Sequence, residues 1–214
     1  QPDTGLIEAD GVLLTINSPR DARAAGIGMV TQHFSLVKNM TVVENIALAS
    51  ASTFSLDLGV VRKEINAASE RFGLEVSPDA VISTLPVALQ QRVEILKALM
   101  SGCSYLILDE PTAVLGPQDI DSLLDVIKRL RSESGIGVVL ISHKMAEIEQ
   151  VADRVSVLRR GKVVSSSSVS GISTQELIGL MMGTDEVAVA QRRPSKQLDG
   201  NPILALNGVG VNIE

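Results

Sequence analysis

The chain has 214 residues, 45% of them apolar and 21% charged, with a formal net charge of −6. The acidic balance, the absence of a basic stripe, no Trp, one Tyr and three Phe exclude a general nucleic-acid binder or a base-stacking platform. No apolar run reaches the ~18 residues needed to span a bilayer, and the single Cys103 suits a reducing compartment as a small core residue.

Leu6–Ala9 and Val12–Ile16 are short β-prone runs joined by Asp10-Gly11, a tight-turn pair, so the chain opens on a hairpin. Ser18 is placed to cap a short helix through Ala25, with Pro19 at its first position. Ile27–Val30 reads as a buried strand leading to Gln32. Thr41-Val42-Val43-Glu44 fits a capping box that starts a helix running to about Ala51. Residues 60–74 form a further helix, with Val61, Ile65, Ala68 and Phe72 at helical spacing. A helix from Gln91 to about Met100 follows, carrying Val93, Leu96, Ala98 and Leu99.

Tyr105-Leu106-Ile107-Leu108 then reads as a strand buried on both faces, ending in Asp109-Glu110-Pro111-Thr112. Two adjacent carboxylates at the carboxyl edge of a parallel sheet repel one another unless a cation lies close. The chemical reading is a Walker B strand, with Asp109 holding Mg2+ and Glu110 orienting or deprotonating the water that attacks a γ-phosphate. The alternative is a strand end whose carboxylates cap the next turn. Asp119 is placed to cap an amphipathic helix with Ile120, Leu123, Leu124, Ile127 and Leu130 on one stripe. Val138–Ser142 is a second fully buried strand, followed by His143. A helix over Met145–Val151, two strands around Arg160-Gly161, a polar loop over Ser165–Ser168 and a helix over Thr174–Met182 complete the pattern. Residues 184–202, with Gln191-Arg192-Arg193-Pro194-Ser195-Lys196, read as a solvated linker.

Leu-Asp-Glu-Pro-Thr at 108–112, followed some thirty residues later by Leu140-Ile141-Ser142-His143, resembles the nucleotide-binding subunit of an ABC transporter. Ser18-Pro19-Arg20-Asp21-Ala22, Gly26-Ile27-Gly28-Met29-Val30 with Gln32-His33-Phe34, Gln90-Gln91-Arg92-Val93-Glu94-Ile95 and Thr112-Ala113-Val114-Leu115 narrow the likeness to importers of sugars and nucleosides, the nucleoside branch above all. The similarity runs from residue 1 to about 185. It implies an α/β, P-loop NTPase-like ATPase domain. Such a domain has a parallel sheet core, a small antiparallel β part and a helical subdomain over about 41–100.

In such a domain Gln32 contacts Mg2+ and the attacking water and senses the transmembrane subunit, and His143 contacts the γ-phosphate of ATP. Pro86, Val87, Ala88, Leu89 and Gln90 occupy the signature that faces the nucleotide of a partner domain. The family has serine where Pro86 stands and glycine where Ala88 stands. Pro86 brings neither hydroxyl nor N–H, and a lost hydrogen bond to a charged group is worth roughly 1.5–3 kcal/mol, so this signature reads as impaired. Gly116 replaces the common D-loop aspartate.

The sequence holds no G-x-x-x-x-G-K-[ST]. The resemblance therefore implies a piece, cut at both ends, that starts just after its Walker A and cannot hydrolyse ATP alone. It also implies a first ABC domain over 1–183, a linker over 184–202 and the start of a second ABC domain of the same chain at 203–214. The implied partners are transmembrane permease subunits and, indirectly, a substrate-binding lipoprotein or periplasmic protein; the implied place is the cytoplasmic face of the membrane. Two other readings are a catalytically degenerate regulatory ABC domain and a soluble ABC ATPase outside transport.

Overall fold

The computed structural model describes residues 5–50 and 57–183; the linker and the start of a second domain expected beyond 183 lie outside them. The chain opens with the expected hairpin, β1 (Ile7–Ala9) and β2 (Val12–Leu14), antiparallel with Ala9 opposite Val12. Asp10 and Gly11 both take positive φ, 52° and 77°, the backbone that a two-residue turn between twisted strands demands. α1 (Pro19–Ala24) starts where Ser18 accepts a hydrogen bond from the Asp21 N–H. β3 (Ile27–Val30) follows and enters the central sheet.

That sheet is parallel, in the order β3–β4–β5, with β4 (Tyr105–Asp109) in the middle and β5 (Gly137–Ile141) at its side. Between β3 and β4 the chain builds a helical body: α2 (Val42–Ser50), α3 (Leu58–Phe72), a 3-10 turn at Ile82–Thr84, and α4 (Val87–Met100). The capping box at Thr41 forms, with Glu44 Oε2 accepting from the Thr41 N–H and the Glu44 N–H donating to Thr41 Oγ1. On α3, Val61, Ile65 and Phe72 are buried and Ala68 packs half-buried against the same core, with Ser69 buried beside them. α4 begins earlier than the sequence reading placed it, so residues 87–90 are its first turn.

α5 (Pro117–Ser134) links β4 to β5 and buries Leu123, Leu124, Val126, Ile127 and Leu130. Its N-cap is Gly116, with Pro117 in the first position. Asp119 is therefore not the cap but a first-turn carboxylate, where it still meets the positive end of the helix dipole. α6 (Met145–Val151), the antiparallel pair β6 (Arg154–Arg159) and β7 (Lys162–Ser168), and α7 (Thr174–Met182) complete the described chain. Ser165–Ser168 is strand rather than loop: it pairs with Arg154–Val157, and Ser156 and Ser166 join through their hydroxyls at 3.1 Å. Cross-strand partners supply what serine's weak strand preference does not.

One core unites the helical body and the sheet. Leu106 and Leu108 of β4 are sealed against it with Ile46, Ile65, Leu96 and Leu124. The opposite sheet face is half open among the described residues. Tyr105 and Ile107 are partly exposed, Met29 is 52% exposed, and Val139 and Ile141 of β5 are 52% and 45% exposed. The expectation that β3, β4 and β5 are buried throughout is thus corrected. An apolar run specifies a strand, but burial needs layers on both sides.

Candidate active site

β4 delivers Asp109 to the carboxyl edge of the sheet, where ligands of parallel α/β sheets bind. The next residue, Glu110, takes φ 45°, a left-handed conformation that costs a non-glycine residue about 1–2 kcal/mol. Its N–H is held by the Ile141 carbonyl at 3.0 Å, and Pro111 behind it is buried. The strain turns the chain sharply at the strand end and presents the Glu110 side chain to two loops.

Both loops answer it. His143, just beyond β5, sets Nδ1 3.1 Å from Glu110 Oε1. Gln32, just beyond β3, donates from Nε2 to Glu110 Oε2 at a long 3.4 Å. Three side chains from the ends of three adjacent strands thus meet, although 78 residues separate Gln32 from Glu110. The site is open: the His143 side chain is 62% exposed and that of Glu110 32%. A water held between Glu110 and an incoming electrophile would find a carboxylate acceptor, an imidazole and an amide within one constellation.

Asp109 immediately precedes Glu110 in the chain, and its carboxylate has no ion-pair partner among the described residues. Asp109 and Gln32 offer only oxygen ligands, which suits Mg2+. No three His, Cys, Asp or Glu side chains converge into a cage among the described residues. An ion here would therefore complete its shell with water and phosphate oxygens, the ordinary habit of Mg2+ at phosphate-transfer sites.

Among the described residues, none of 86–90 hydrogen-bonds to Gln32, Glu110 or His143. Pro86 is the N-cap of α4 at φ −52° and ψ 152°, and no side chain caps the helix. Its carbonyl accepts from the N–H groups of Leu89 and Gln90, and the Gln90 amide folds back onto the Leu85 carbonyl at 2.8 Å. The first-turn donors of Val87 and Ala88 keep no acceptor among the described residues. An anion would meet these two N–H groups and the helix dipole, but no hydroxyl.

Sequence reasoning missed the groups that brace the site. Lys144 Nζ donates to both the carbonyl and Oγ1 of Thr112, at 3.0 and 3.1 Å, and lies 3.3 Å from Glu147 Oε1, an ion pair without hydrogen-bond alignment. Ser142 Oγ donates to Glu147 Oε2 at 2.8 Å and accepts from the Lys144 N–H at 3.1 Å. Thr112 and Glu147 are both buried. The turn after Glu110 is thereby tied to the loop that carries His143. The one available sign was Glu147 three residues after Lys144 at a helix start.

Comparison with known proteins gives this geometry its context. The ABC transporter family model matches residues 1–113. The chain is 44% identical to the nucleoside import ATP-binding protein NupA of Lactococcus lactis over 201 residues, 93% of this chain and 40% of that protein. It is 40% identical to the guanosine import ATP-binding protein NupO of Bacillus subtilis over 213 residues, 99% of this chain and 41% of that protein. The chain thus spans about two fifths of the length of these relatives. Among solved structures, the ADP-bound cassette MJ1267 of an ABC transporter matches with a TM-score of 0.71 at 20% identity, covering 85% of this chain and 78% of that one. The dimeric post-hydrolysis cassette MJ0796, bound to ADP and Pi, matches with a TM-score of 0.66 at 22% identity, covering 80% and 76%. These likenesses establish the cassette fold. The chain belongs to the ABC transporter family.

Proposed function

We propose that residues 1–183 form the first ABC ATPase domain of a protein that couples ATP hydrolysis to import of nucleosides or related sugars. The observation that carries this reading is the convergence of Gln32 and His143 on the two oxygens of Glu110 at the end of β4. Glu110 acts as general base toward the attacking water. His143 orients Glu110 through the Nδ1 contact and reaches the γ-phosphate with its other ring nitrogen. Gln32 would hold the attacking water and, together with Asp109, the metal. When bound, Mg2+ neutralises the charge of the β- and γ-phosphate oxygens. The likeness to importers named for nucleosides and guanosine supports the substrate class.

In this reading the protein works on the cytoplasmic side of the membrane. No helix among the described residues is long and apolar enough to cross a bilayer, so attachment runs through transmembrane permease subunits. A second ABC domain beyond residue 203 would supply the opposing half of the nucleotide sandwich. Residues 86–90 would face that domain's ATP, and a substrate-binding protein outside the membrane would deliver cargo to the permease.

The deciding experiment is Glu110→Gln in the full-length protein with its permease, assayed for ATP binding, ATP hydrolysis and uptake of labelled nucleoside. Retained binding with lost hydrolysis and uptake is expected. Unchanged uptake favours a second reading, a regulatory domain whose own site is degenerate. The uncapped Pro86 and the methyl group of Ala88 speak for that alternative.

A further inference from the structure

α4 carries a charged residue in the middle of its most apolar stretch. Glu94 lies between Val93 and Ile95, both sealed from solvent, and is itself only 4% exposed. Packing does not ask for a carboxylate there, since an apolar side chain of similar volume serves stability as well or better. The group that Glu94 serves lies 59 residues earlier: Oε1 accepts from the Ser35 backbone N–H at 2.5 Å and from the Ser35 hydroxyl at 3.0 Å. Lys97, one turn along α4, sits 2.7 Å from Glu94 Oε2 and donates to Ser35 Oγ at 2.8 Å. Carboxylate, ammonium, hydroxyl and backbone amide close a ring in which the buried charge is fully matched.

Ser35 stands three residues beyond Gln32. Two residues further, Val37 is gripped by the buried Asn45 of α2, whose Oδ1 accepts the Val37 N–H at 2.7 Å and whose Nδ2 donates to the Val37 carbonyl at 3.1 Å. Residues 35–37 are therefore fastened to the helical body, while Val30 is fastened to the sheet. Only residues 31–34 bridge the two, and Thr31 closes them locally by donating from Oγ1 to the His33 carbonyl at 2.8 Å. Among the described residues the Gln32 side chain makes a single, long hydrogen bond, to Glu110. Its place is set by the ends of its loop, not by its own hydrogen bond.

We infer that Glu94 is a positioning residue for Gln32: by accepting from both hydrogen-bond donors of Ser35, it fixes the carboxyl end of the Gln32 loop to α4 and so sets how the amide meets Glu110. Lys97 neutralises the carboxylate and orients the Ser35 hydroxyl toward it. The inference rests on the reading that Gln32 and Glu110 act together in ATP hydrolysis.

The test is steady-state ATP hydrolysis by the full-length protein carrying E94Q, Q32A, both, or E110Q. E94Q keeps the shape and one oxygen acceptor but removes the charge that matches Lys97. It is expected to lower kcat about fivefold, with KM for ATP within about twofold of the parent. In the Q32A background, E94Q is expected to change the residual rate by less than about twofold, because the group it positions is gone. S35A, which keeps the backbone N–H, should give a smaller loss in the same direction. An equal loss from E94Q in both backgrounds, or a loss seen only as raised KM and lowered Tm, overturns the inference while E110Q remains inactive. Full hydrolysis by E110Q overturns the underlying reading instead.

Discussion

Glu110 shares its two carboxylate oxygens between His143 Nδ1, 3.1 Å from Oε1, and Gln32 Nε2, 3.4 Å from Oε2. The two contacts are unequal, and the inequality ranks the expected losses. If Glu110 is the general base proposed above, its loss removes a contribution of about 10²–10⁴ in rate, so Glu110→Gln should fall in that range in single-turnover hydrolysis with nucleotide binding kept. His143→Ala removes the shorter contact and should cost more than Gln32→Ala, which removes the longer one. The reverse order would mean that the water and metal contacts of Gln32 matter more than the hold of His143 on Glu110.

Lys144 offers a check on stability in the same region. Its Nζ is the only cation paired with the buried Glu147 among the described residues, and it also satisfies two oxygens of buried Thr112. Breaking a buried pair leaves an uncompensated charge, at about 3–5 kcal/mol when both partners are sealed. The Lys144 side chain is 35% exposed, so water relieves part of this, and Lys144→Met should cost about 2 kcal/mol in urea unfolding. The double variant with Glu147→Gln should recover about half of that loss, a coupling expected of residues in contact.

These two clusters show where the sequence was legible and where it was not. Local chemistry was readable: Asp10-Gly11 as a turn, Ser18 and Thr41 as caps, and Asp109-Glu110 at a strand end all depend on neighbours within four residues. Glu94 on Ser35 and Lys144 on Thr112 join residues 59 and 32 apart, and no periodicity encodes such pairs. Glu94 did leave one trace, a charge inside an apolar helical run, which is a cue for a buried partner. The burial of β5 was misread because a run of Val, Leu and Ile specifies a strand without saying what covers each face. The serine strand at 165–168 was misread because its pairing partner, not its composition, makes it a strand.

The helix caps carry an acid dependence whose sign follows from their hydrogen bonds. The Thr41 backbone N–H and hydroxyl hold the Glu44 carboxyl below the usual glutamate range, and Ser173 does the same for Glu176 at the start of α7. A depressed folded-state pKa adds stability that is complete above the ordinary carboxylate value and disappears as pH falls through the lowered one. The urea midpoint should therefore drop on acidification from about pH 5 toward pH 3. The double variant Glu44→Gln, Glu176→Gln should start lower at neutral pH and show a flatter profile. Parallel profiles for the two proteins would mean that other carboxylates dominate acid unfolding.

Pro86 allows a gain to be predicted. As N-cap of α4 it leaves the first turn without a side-chain acceptor, and serine can adopt its backbone angles of −52° and 152° without strain. A serine cap stabilises a helix by about 0.5–2 kcal/mol. Removing proline frees the unfolded chain by about 0.4–1 kcal/mol in the opposite sense. The two terms nearly cancel, so Pro86→Ser should shift Tm by no more than a few degrees. Its effect on nucleotide-dependent pairing has no such offset. If residues 86–90 face the ATP of a second domain, the new hydroxyl and N–H add hydrogen bonds to a charged group worth roughly 1.5–3 kcal/mol each. Closure of the domain pair should then need about tenfold less of a non-hydrolysable ATP analogue, or less still, read by fluorescence titration of the full-length protein labelled on both domains. A stabilised helix with unchanged closure would separate this turn from the nucleotide and leave α4 a purely structural start.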